Sequence, residues 1–521
     1  MKSIRRTELA NLIIFLAVIL GAFIRFAPTS IAGFAINDGG MFAVMVDDLK
    51  ASGYSLPVFT SYNALNIPYA YPPLGFYFGR ISADLTGLAS VEILRWLPAL
   101  FASLSIPAFA LLASRLTKTR FHAATATLIF ALMPRAMSWF VMGGGLTRSP
   151  GQFFMLLTLA SVVRLYQENR RRDIFWAGLF GALAVLSHPE AAVHTAVSSL
   201  FLWLMLARSR KTFWNSVQVA ALVILLTAPW WATVISRHGL APLLSAAQTG
   251  QKLLAIFHLV FFSFTEEIYA TPIASLGLIG LGLFIARRDY LLSLWLIIPF
   301  FVEGRSAAGP AAIPLAMLAA SGFVDVVLPA LRNASSAAKT EVSVEQVTPV
   351  ERGALIYFFM YLLFSAYLFS WQISNATLYA PDREAMQWVR QNTPADARFL
   401  VLTGSRSVSC DSVPEWFPAL AQRKSIFTVQ GTEWTLGKDF GDFVQEAAKV
   451  QACVSDGLEC VNSSTQTQHY DYVYISKNLR VENCEPLTAP QTFPFLLEAL
   501  RSHPGLQMVH ETEGAVIFRG Q

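Results

Sequence analysis

The sequence predicts a polytopic α-helical membrane protein of about eleven transmembrane helices with a C-terminal extracytoplasmic α/β domain, and three observations carry that expectation. The 521-residue chain is 54% hydrophobic and only 14% charged, whereas an average soluble domain has roughly 25% charged residues. Its apolar residues come in long runs, among them 9–26, 96–113, 174–186, 217–231 and 355–370. Several approach the roughly 17–25 residues that cross ~30 Å of hydrocarbon, the shorter ones with flanking polar residues to complete the span. The pattern stops after residue 373: from 374 to 521 charged residues become ordinary and short helix and strand patterns alternate.

The first run follows a basic start (Lys2, Arg5, Arg6) like that of a signal peptide. No small-residue cleavage site follows it, so it reads as a retained first span. Basic clusters recur after every second span: Arg115/Lys118/Arg120, Arg164/Arg170/Arg171/Arg172, Arg208/Arg210/Lys211, Arg287/Arg288 and Arg332/Lys339/Arg352. The excess of Lys and Arg on cytoplasmic loops assigns these clusters and the N-terminus to the cytoplasm. An odd number of spans then sends the C-terminus out, and the chain is expected to be integral to the cell's plasma membrane, in contact with its lipids. The net charge of +5 is a topology signal and implies no nucleic-acid partner. The expected organisation is a membrane part, 1–373, with a large first outward loop at 28–90 and a polar cytoplasmic linker at 331–353, followed by the domain 374–521.

Within that domain, 382–392 reads as a helix closed by Thr393-Pro394, 398–402 and 472–475 as strands, 493–501 as a helix and 515–518 as a closing strand. A unit of this length can hold its own core. All four cysteines (Cys410, Cys453, Cys460, Cys484) lie in it. Confined to a domain that charge topology places outside, they point to disulfides formed in an oxidising compartment, with three pairings open. A zinc site is the competing reading, but no Cys-x-x-Cys spacing supports it.

The candidate site begins just past the first span, at Asn37-Asp38-Gly39-Gly40. A carboxylate at the membrane surface, in a loop too long and apolar for a connector, usually marks a site. Residues 41–52 have helical spacing, with Phe42, Val46 and Leu49 on one face, which suits a helix lying in the interface plane. Pro57, Pro68 and Tyr71-Pro72-Pro73-Leu74-Gly75 lead the chain back to the second span. The plainer reading makes Asp38 a cap of that interfacial helix.

Two further outward turns carry arginines. Met142-Gly143-Gly144-Gly145-Leu146-Thr147-Arg148-Ser149-Pro150-Gly151 combines a glycine run with a Ser-Pro helix start, so that free N–H groups and Arg148 can meet a phosphate. Its plainer reading is a flexible turn with a snorkelling arginine. Arg305, in Glu303-Gly304-Arg305-Ser306, is a second cation at a span's outer end, with Glu303 as its expected structural partner. His188-Pro189-Glu190 and His194 do not share a helical face, so a polar contact lining a cavity is favoured over metal ligation. Glu266-Glu267 and Arg237-His238 lie in another outward loop without a specific signal. The stretches 414–420 and 430–434 read as aromatic-rich turns; they suit sugar stacking, but filling a core is the favoured reading.

Asp38, the helix after it, the Pro-Pro-Leu-Gly turn and Ile93-Leu94-Arg95-Trp96-Leu97-Pro98-Ala99-Leu100 together resemble the glycosyltransferase C superfamily. The nearest pattern is that of the protein O-mannosyltransferases and lipid A aminoarabinose transferases (glycosyltransferase family 39-like), strongest over residues 30–115. The resemblance implies an inverting transfer of a hexose or pentose from a polyprenyl-phosphate sugar donor to a glycan, lipid or protein acceptor. It casts Asp38 as the catalytic residue that deprotonates or orients the acceptor and Arg305 as facing the donor phosphate; Arg148, Tyr71, His188 and Glu190, read from the residues themselves, complete the expected substrate-binding set. Two positions depart from the pattern: Gly39 stands where an acidic residue often follows, and Tyr71 where a basic residue commonly precedes the proline pair. Thr147-Arg148 stands where metal-dependent members carry an acidic pair, so no metal cofactor is expected, a divalent ion being the less favoured option. The alternatives are a lipid-linked-sugar transporter or flippase, for which no internal repeat is visible, and a non-catalytic scaffold.

Overall fold

A computed structural model describes residues 6–247, 255–265, 271–335, 347–466, 468–477, 479–482, 484–492 and 494–520. Glu266-Glu267 and 336–346 of the expected linker, Lys339 included, lie outside the described residues, as do Lys2 and Arg5.

Six helices in the described residues are long and apolar enough to cross a membrane: Thr7–Ala32, Ser90–Leu116, Pro189–Leu206, Arg210–His238, Ala308–Ala334 and Pro349–Ile373. The chain is a multi-pass integral membrane protein. A further candidate is the pair Arg120–Leu132 and Arg135–Val141, bent by 72°. Pro134 causes the break, because the residue before a proline is driven out of the helical region and Met133 is extended. Two shorter apolar helices, Pro272–Ala286 and Leu291–Val302, follow, and Gly145–Glu168 and Arg171–Ser187 complete the bundle.

Local sequence sets the helix starts. Thr119 caps Arg120–Leu132 by accepting from the His122 amide. Ser209 with Thr212, and Thr348 with Glu351, form reciprocal capping boxes at the starts of Arg210–His238 and Pro349–Ile373. Burial sorts the spans: the most apolar stretch of Ala308–Ala334 is 83% buried, that of Arg210–His238 only 11%. The first is a central helix of small residues and the second faces lipid. Close approach at the centre requires glycine, since a Cβ on Gly280 would strike the Leu318 carbonyl and one on Gly322 the Leu276 carbonyl.

The first loop folds into helices Gly40–Ala51 and Leu74–Thr86. The expected apolar face of the former is present, with Phe42, Val46 and Leu49 buried. It packs against protein rather than lying in lipid: its neighbours are Leu74–Thr86 and the helix Ser412–Ala421 from the far end of the chain.

The described C-terminal residues contribute seven strands: β1 (Arg398–Leu402), β2 (Lys424–Ser425), β3 (Tyr472–Ser476), β4 (Leu479–Glu482), β5 (Glu485–Gln491), β6 (Leu506–Glu511) and β7 (Ala515–Gly520). Five form a mixed sheet in the order β2-β1-β3-β7-β6, with β1 parallel to β2 and β3, and β7 antiparallel to β3 and β6. β4 and β5 form a separate hairpin. One sheet face, with Phe399, Val401, Tyr472, Tyr474 and Ile517, shares a core with Trp416 and Phe417 and with Phe34, Met41 and Phe76 of the first loop. The other face, with Leu400, Val473, Ile475 and Phe518, is covered by helices Phe440–Asp456 and Pro494–Ser502. Burial on both faces explains why β1 and β3 read as unbroken apolar runs. The disulfides are Cys410–Cys484 and Cys453–Cys460, with Cα atoms 5.2 Å apart in each.

Candidate active site

Three chain segments meet at Asp38. Its Oδ1 accepts from the Gly144 amide at 2.8 Å, and its Oδ2 accepts from Arg148 Nη1 at 3.0 Å. Asp38 therefore does not cap the helix Gly40–Ala51, whose N-cap is Gly39 with no side-chain bond. It sits instead at the positive end of Gly145–Glu168, where free amides and the helix dipole favour an anion. The Gly143 amide donates to the Ile36 carbonyl at 2.9 Å, so two successive amides hold the loop.

The glycines on both sides make this contact possible. A Cβ on Gly143 would strike the Asp38 carbonyl, and one on Gly144 would strike the Asp38 carboxylate and Arg148. Gly39 has φ +127° and faces Gly143 and Leu94, so any side chain there is strained and crowded. That is the physical reason for the departure from an acidic residue at this position. Asn37 holds φ +53° and is pinned by a bond from its amide to the Ala376 carbonyl and by Trp416 Nε1, which donates to its carbonyl at 2.9 Å.

The expected helix start at Ser149-Pro150 lies five residues too late, since the N-cap is Gly144 and the helix begins at Gly145. Ser149 Oγ donates to the Phe140 carbonyl. Pro150 has no N–H for the Leu146 carbonyl. Gly75 backs onto that carbonyl, where a Cβ would be 2.6 Å from the oxygen. The Pro-Pro-Leu-Gly turn is thereby docked onto the arginine helix.

A cavity of about 500 Å³ opens beside this junction, lined by Arg148, His188, Glu190, His194 and Arg305 and walled by Trp139, Phe264, Phe300 and Phe369. Glu190 bridges the polar groups: its carboxylate lies 3.8 Å from both Arg305 Nε and His188 Nδ1. His194 Nε2 contacts Ser306 Oγ at 3.0 Å. Glu303 accepts from the Arg305 amide rather than from its guanidinium. Tyr71 packs its ring 5.9 Å from His188 and 5.5 Å from Trp434, and its hydroxyl accepts from Thr147. Burial pushes the Tyr71 phenol up, so it stays neutral. The structure thus brings Asp38, Arg148, Tyr71, His188, Glu190 and Arg305 to one junction, although Asp38 and Tyr71 stand behind the cavity lining rather than in it.

Other singled-out residues have structural work. Arg237 donates to the Leu56 and Pro57 carbonyls. The stretch 414–420 is not a turn but part of the helix Ser412–Ala421, and its Trp416 and Phe417 are buried. Sequence reasoning missed Arg135, His258 and the Cys410–Cys484 pair, which also line the cavity. For Arg135 the signal was a cation beside Pro134 at the outer end of an apolar run. Among the described residues no group of three His, Cys, Asp or Glu side chains is placed to hold a metal ion.

Comparison with known proteins fits this geometry. Residues 70–232 match the family described as dolichyl-phosphate-mannose-protein mannosyltransferase. No curated protein sequence matches significantly. Among solved structures, ArnT from Cupriavidus metallidurans bound to undecaprenyl phosphate superposes with a TM-score of 0.56 at 14% identity, covering 98% of each chain. The arabinofuranosyltransferase AftD from Mycobacteria gives 0.59 at 15% identity, covering 97% of this chain. This chain spans only 40% of that protein.

The fold is that of the glycosyltransferase C superfamily.

The archaeal oligosaccharyltransferase AglB from Archaeoglobus fulgidus, solved with an inhibitory peptide and a dolichol-phosphate, gives 0.53 at 14% identity over 89% of this chain and 69% of its own. The match to ArnT at full length on both sides extends the glycosyltransferase C likeness through the C-terminal sheet, beyond the region 70–232 that the family match covers.

Proposed function

We propose that the protein is a membrane glycosyltransferase that moves a sugar from a polyprenyl-phosphate donor to an acceptor on the extracytoplasmic face. One observation carries the reading: Asp38 pairs with Arg148 where the helix Gly145–Glu168 begins, and Arg148 and Arg305 both line the cavity beside it. Asp38 takes the proton of the acceptor hydroxyl. The hydroxyl oxygen attacks the anomeric carbon in line, the bond from that carbon to the phosphate oxygen breaks, and the electron pair leaves with the polyprenyl phosphate. A single displacement of this kind inverts the anomeric centre. Arg148 and Arg305 carry the leaving phosphate's charge. Glu190 orients Arg305 and His188, and Tyr71 supports the helix start through Thr147. The two guanidinium groups supply the positive charge the leaving group needs, so the scheme uses no metal cofactor.

The same reading assigns eleven spans. The six long helices and the bent pair are joined by Gly145–Glu168, Arg171–Ser187, Pro272–Ala286 and Leu291–Val302. With a cytoplasmic N-terminus, this alternation puts Asp38, Arg148, Glu190, Arg305 and the disulfide-bonded domain on one outer side.

The test is transfer by the full chain in nanodiscs, using radiolabelled undecaprenyl-phosphate mannose, arabinose and aminoarabinose with a membrane-glycan extract as acceptor. Wild type transfers label and Asp38→Asn does not, while Asp38→Asn still binds the donor. Full activity in Asp38→Asn sinks the role of Asp38. Donor movement across the membrane without transfer makes the protein a flippase, and neither result makes it a scaffold.

A further inference from the structure

The C-terminal domain reaches into the Asp38 loop with a carboxyl group that the mechanism above leaves unused. Glu415, on the helix Ser412–Ala421, is only 5% exposed. Its Oε1 accepts from the Gly39 amide at 2.8 Å, the residue directly after Asp38. The same helix turn is fixed to the first loop at two more points. Tyr62 OH donates to the Glu415 carbonyl at 2.7 Å, and Trp416 Nε1 donates to the carbonyl of Asn37, directly before Asp38. Gly40 backs onto the Glu415 carbonyl with no room for a Cβ. Asp38 is therefore gripped from one side by Gly143 and Gly144 and from the other by Glu415 and Trp416.

We propose that Glu415 is the positioning residue for Asp38, supplying from the C-terminal domain the second carboxyl that Gly39 cannot carry. Residue 39 must remain glycine to pass between Gly143 and Leu94 at positive φ. A side chain from 376 residues away instead brings its carboxyl to the backbone amide of residue 39. Its carboxyl holds the loop by an amide rather than touching substrate, so its role is geometric.

The groups facing Glu415 are Asp38, Arg148, Glu433 and Tyr62. Burial, reinforced by the negative charge of Asp38, pushes the Glu415 carboxyl up to about 8. Below that pH it is uncharged and leaves Asp38 as the single anion against Arg148. Above it, a second negative charge appears beside the Asp38–Arg148 pair in a water-poor site, and the loop geometry changes.

The catalytic consequence rests on the transferase reading, whereas the clamp itself does not, and two measurements separate them. Hydrogen–deuterium exchange on the full chain in nanodiscs reports the Gly39 amide. Glu415→Ala speeds exchange of the peptide carrying it by roughly tenfold, the loss of one buried hydrogen bond. Glu415→Gln, which keeps the acceptor oxygen, leaves it near wild type. Unchanged exchange in Glu415→Ala, or equal loss in both variants, overturns the proposal. The second measurement is the pH profile of transfer from undecaprenyl-phosphate sugars. Wild type loses activity on the alkaline side near pH 8, and Glu415→Gln retains it there. A wild-type alkaline limb preserved in Glu415→Gln overturns the titrating role. Protected exchange in a protein that transfers no sugar supports the clamp and overturns the transferase reading instead.

Discussion

Gly143 and Asp38 meet backbone to backbone, so closely that a Cβ on Gly143 would overlap the Asp38 carbonyl oxygen. The contact is reinforced by the amides of Gly143 and Gly144, which bond to the Ile36 carbonyl and the Asp38 carboxylate. Gly143→Ala must push the loop off the helix start. Overpacking of this kind costs about 1–3 kcal/mol, and here the displaced group is the proposed base. Transfer activity is expected to fall at least ~100-fold, since a shift of about 1 Å in a reacting group has that effect. Gly282→Ala, where nothing lies within 4 Å of the added atom, is the control and leaves both activity and thermal unfolding unchanged. Equal behaviour of the two variants removes the close contact from the argument.

The two arginines are not equivalent. Arg148 is 20% exposed, bonded to Asp38 and packed 5.3 Å over the Trp139 ring, whereas Arg305 is 54% exposed and reaches Glu190 only at 3.8 Å. A buried, oriented guanidinium contributes more than an exposed one. Arg148→Lys keeps the charge but loses the fork and the flat ring contact, so donor KM is expected to rise about tenfold and kcat to fall further. Arg305→Lys is expected to stay within roughly threefold of wild type on both, because a charge half exposed to solvent is screened and depends less on geometry. Steady-state kinetics on the two variants decides the ranking, and the reverse order rejects it.

What could be read from the chain, and what could not, follows from the range of the forces involved. Local periodicity was enough for β1, β3 and the helix Ala380–Asn392, whose ends fell within two residues of the expected ones. Amphipathic spacing also revealed the buried face of Gly40–Ala51, but not what covers it. Phe42, Val46 and Leu49 are as apolar facing lipid as facing protein, and only the tertiary fold sets Ser412–Ala421 against them. The start of Gly145–Glu168 was misplaced because a Ser-Pro pair is a good local start signal, and the glycine run that overrides it is needed by Asp38, 105 or more residues away. Glu415 fell inside the stretch 414–420, but its role left no trace, because its partner is a backbone amide 376 positions upstream.

The two disulfides are expected to differ in consequence. Cys410–Cys484 closes a loop with a separation of 74 residues and Cys453–Cys460 one of 7. Loop-closure entropy alone favours the former, about 4 against about 2 kcal/mol. Cys410 and Cys484 also line the cavity, and Cys410 lies next to Asp411, the N-cap of the helix that carries Glu415. Serine at both positions of that bridge is expected to lower both the unfolding temperature and the transfer rate. Serine at Cys453 and Cys460 lowers the unfolding temperature less and leaves transfer intact. Thermal unfolding of the full chain alongside the transfer assay separates the pairs, and equal loss of activity in both rules out a special role for the cavity bridge.

Asp382 is expected to make the stability of the C-terminal sheet region depend on pH. It is 5% exposed, its Oδ1 accepts from Tyr474 OH at 2.9 Å, and burial, with Asp411 adding to it, raises its carboxyl to about 7. A carboxyl raised on folding binds its proton more tightly in the native state than in the unfolded chain, where it titrates near ~4. Its favourable contribution is therefore complete below about pH 4 and is lost as pH rises through about 7. Over that window the fold loses on the order of 3–4 kcal/mol from this group, an upper bound because relaxation and water entry reduce it. Asp382→Asn keeps the oxygen that Tyr474 needs and never ionises. The variant is expected to unfold at a higher temperature than wild type at pH 8, with the difference shrinking steadily toward pH 5. Thermal unfolding of both proteins across that range is the measurement, and parallel curves would show that Asp382 titrates in the folded protein as it does in water.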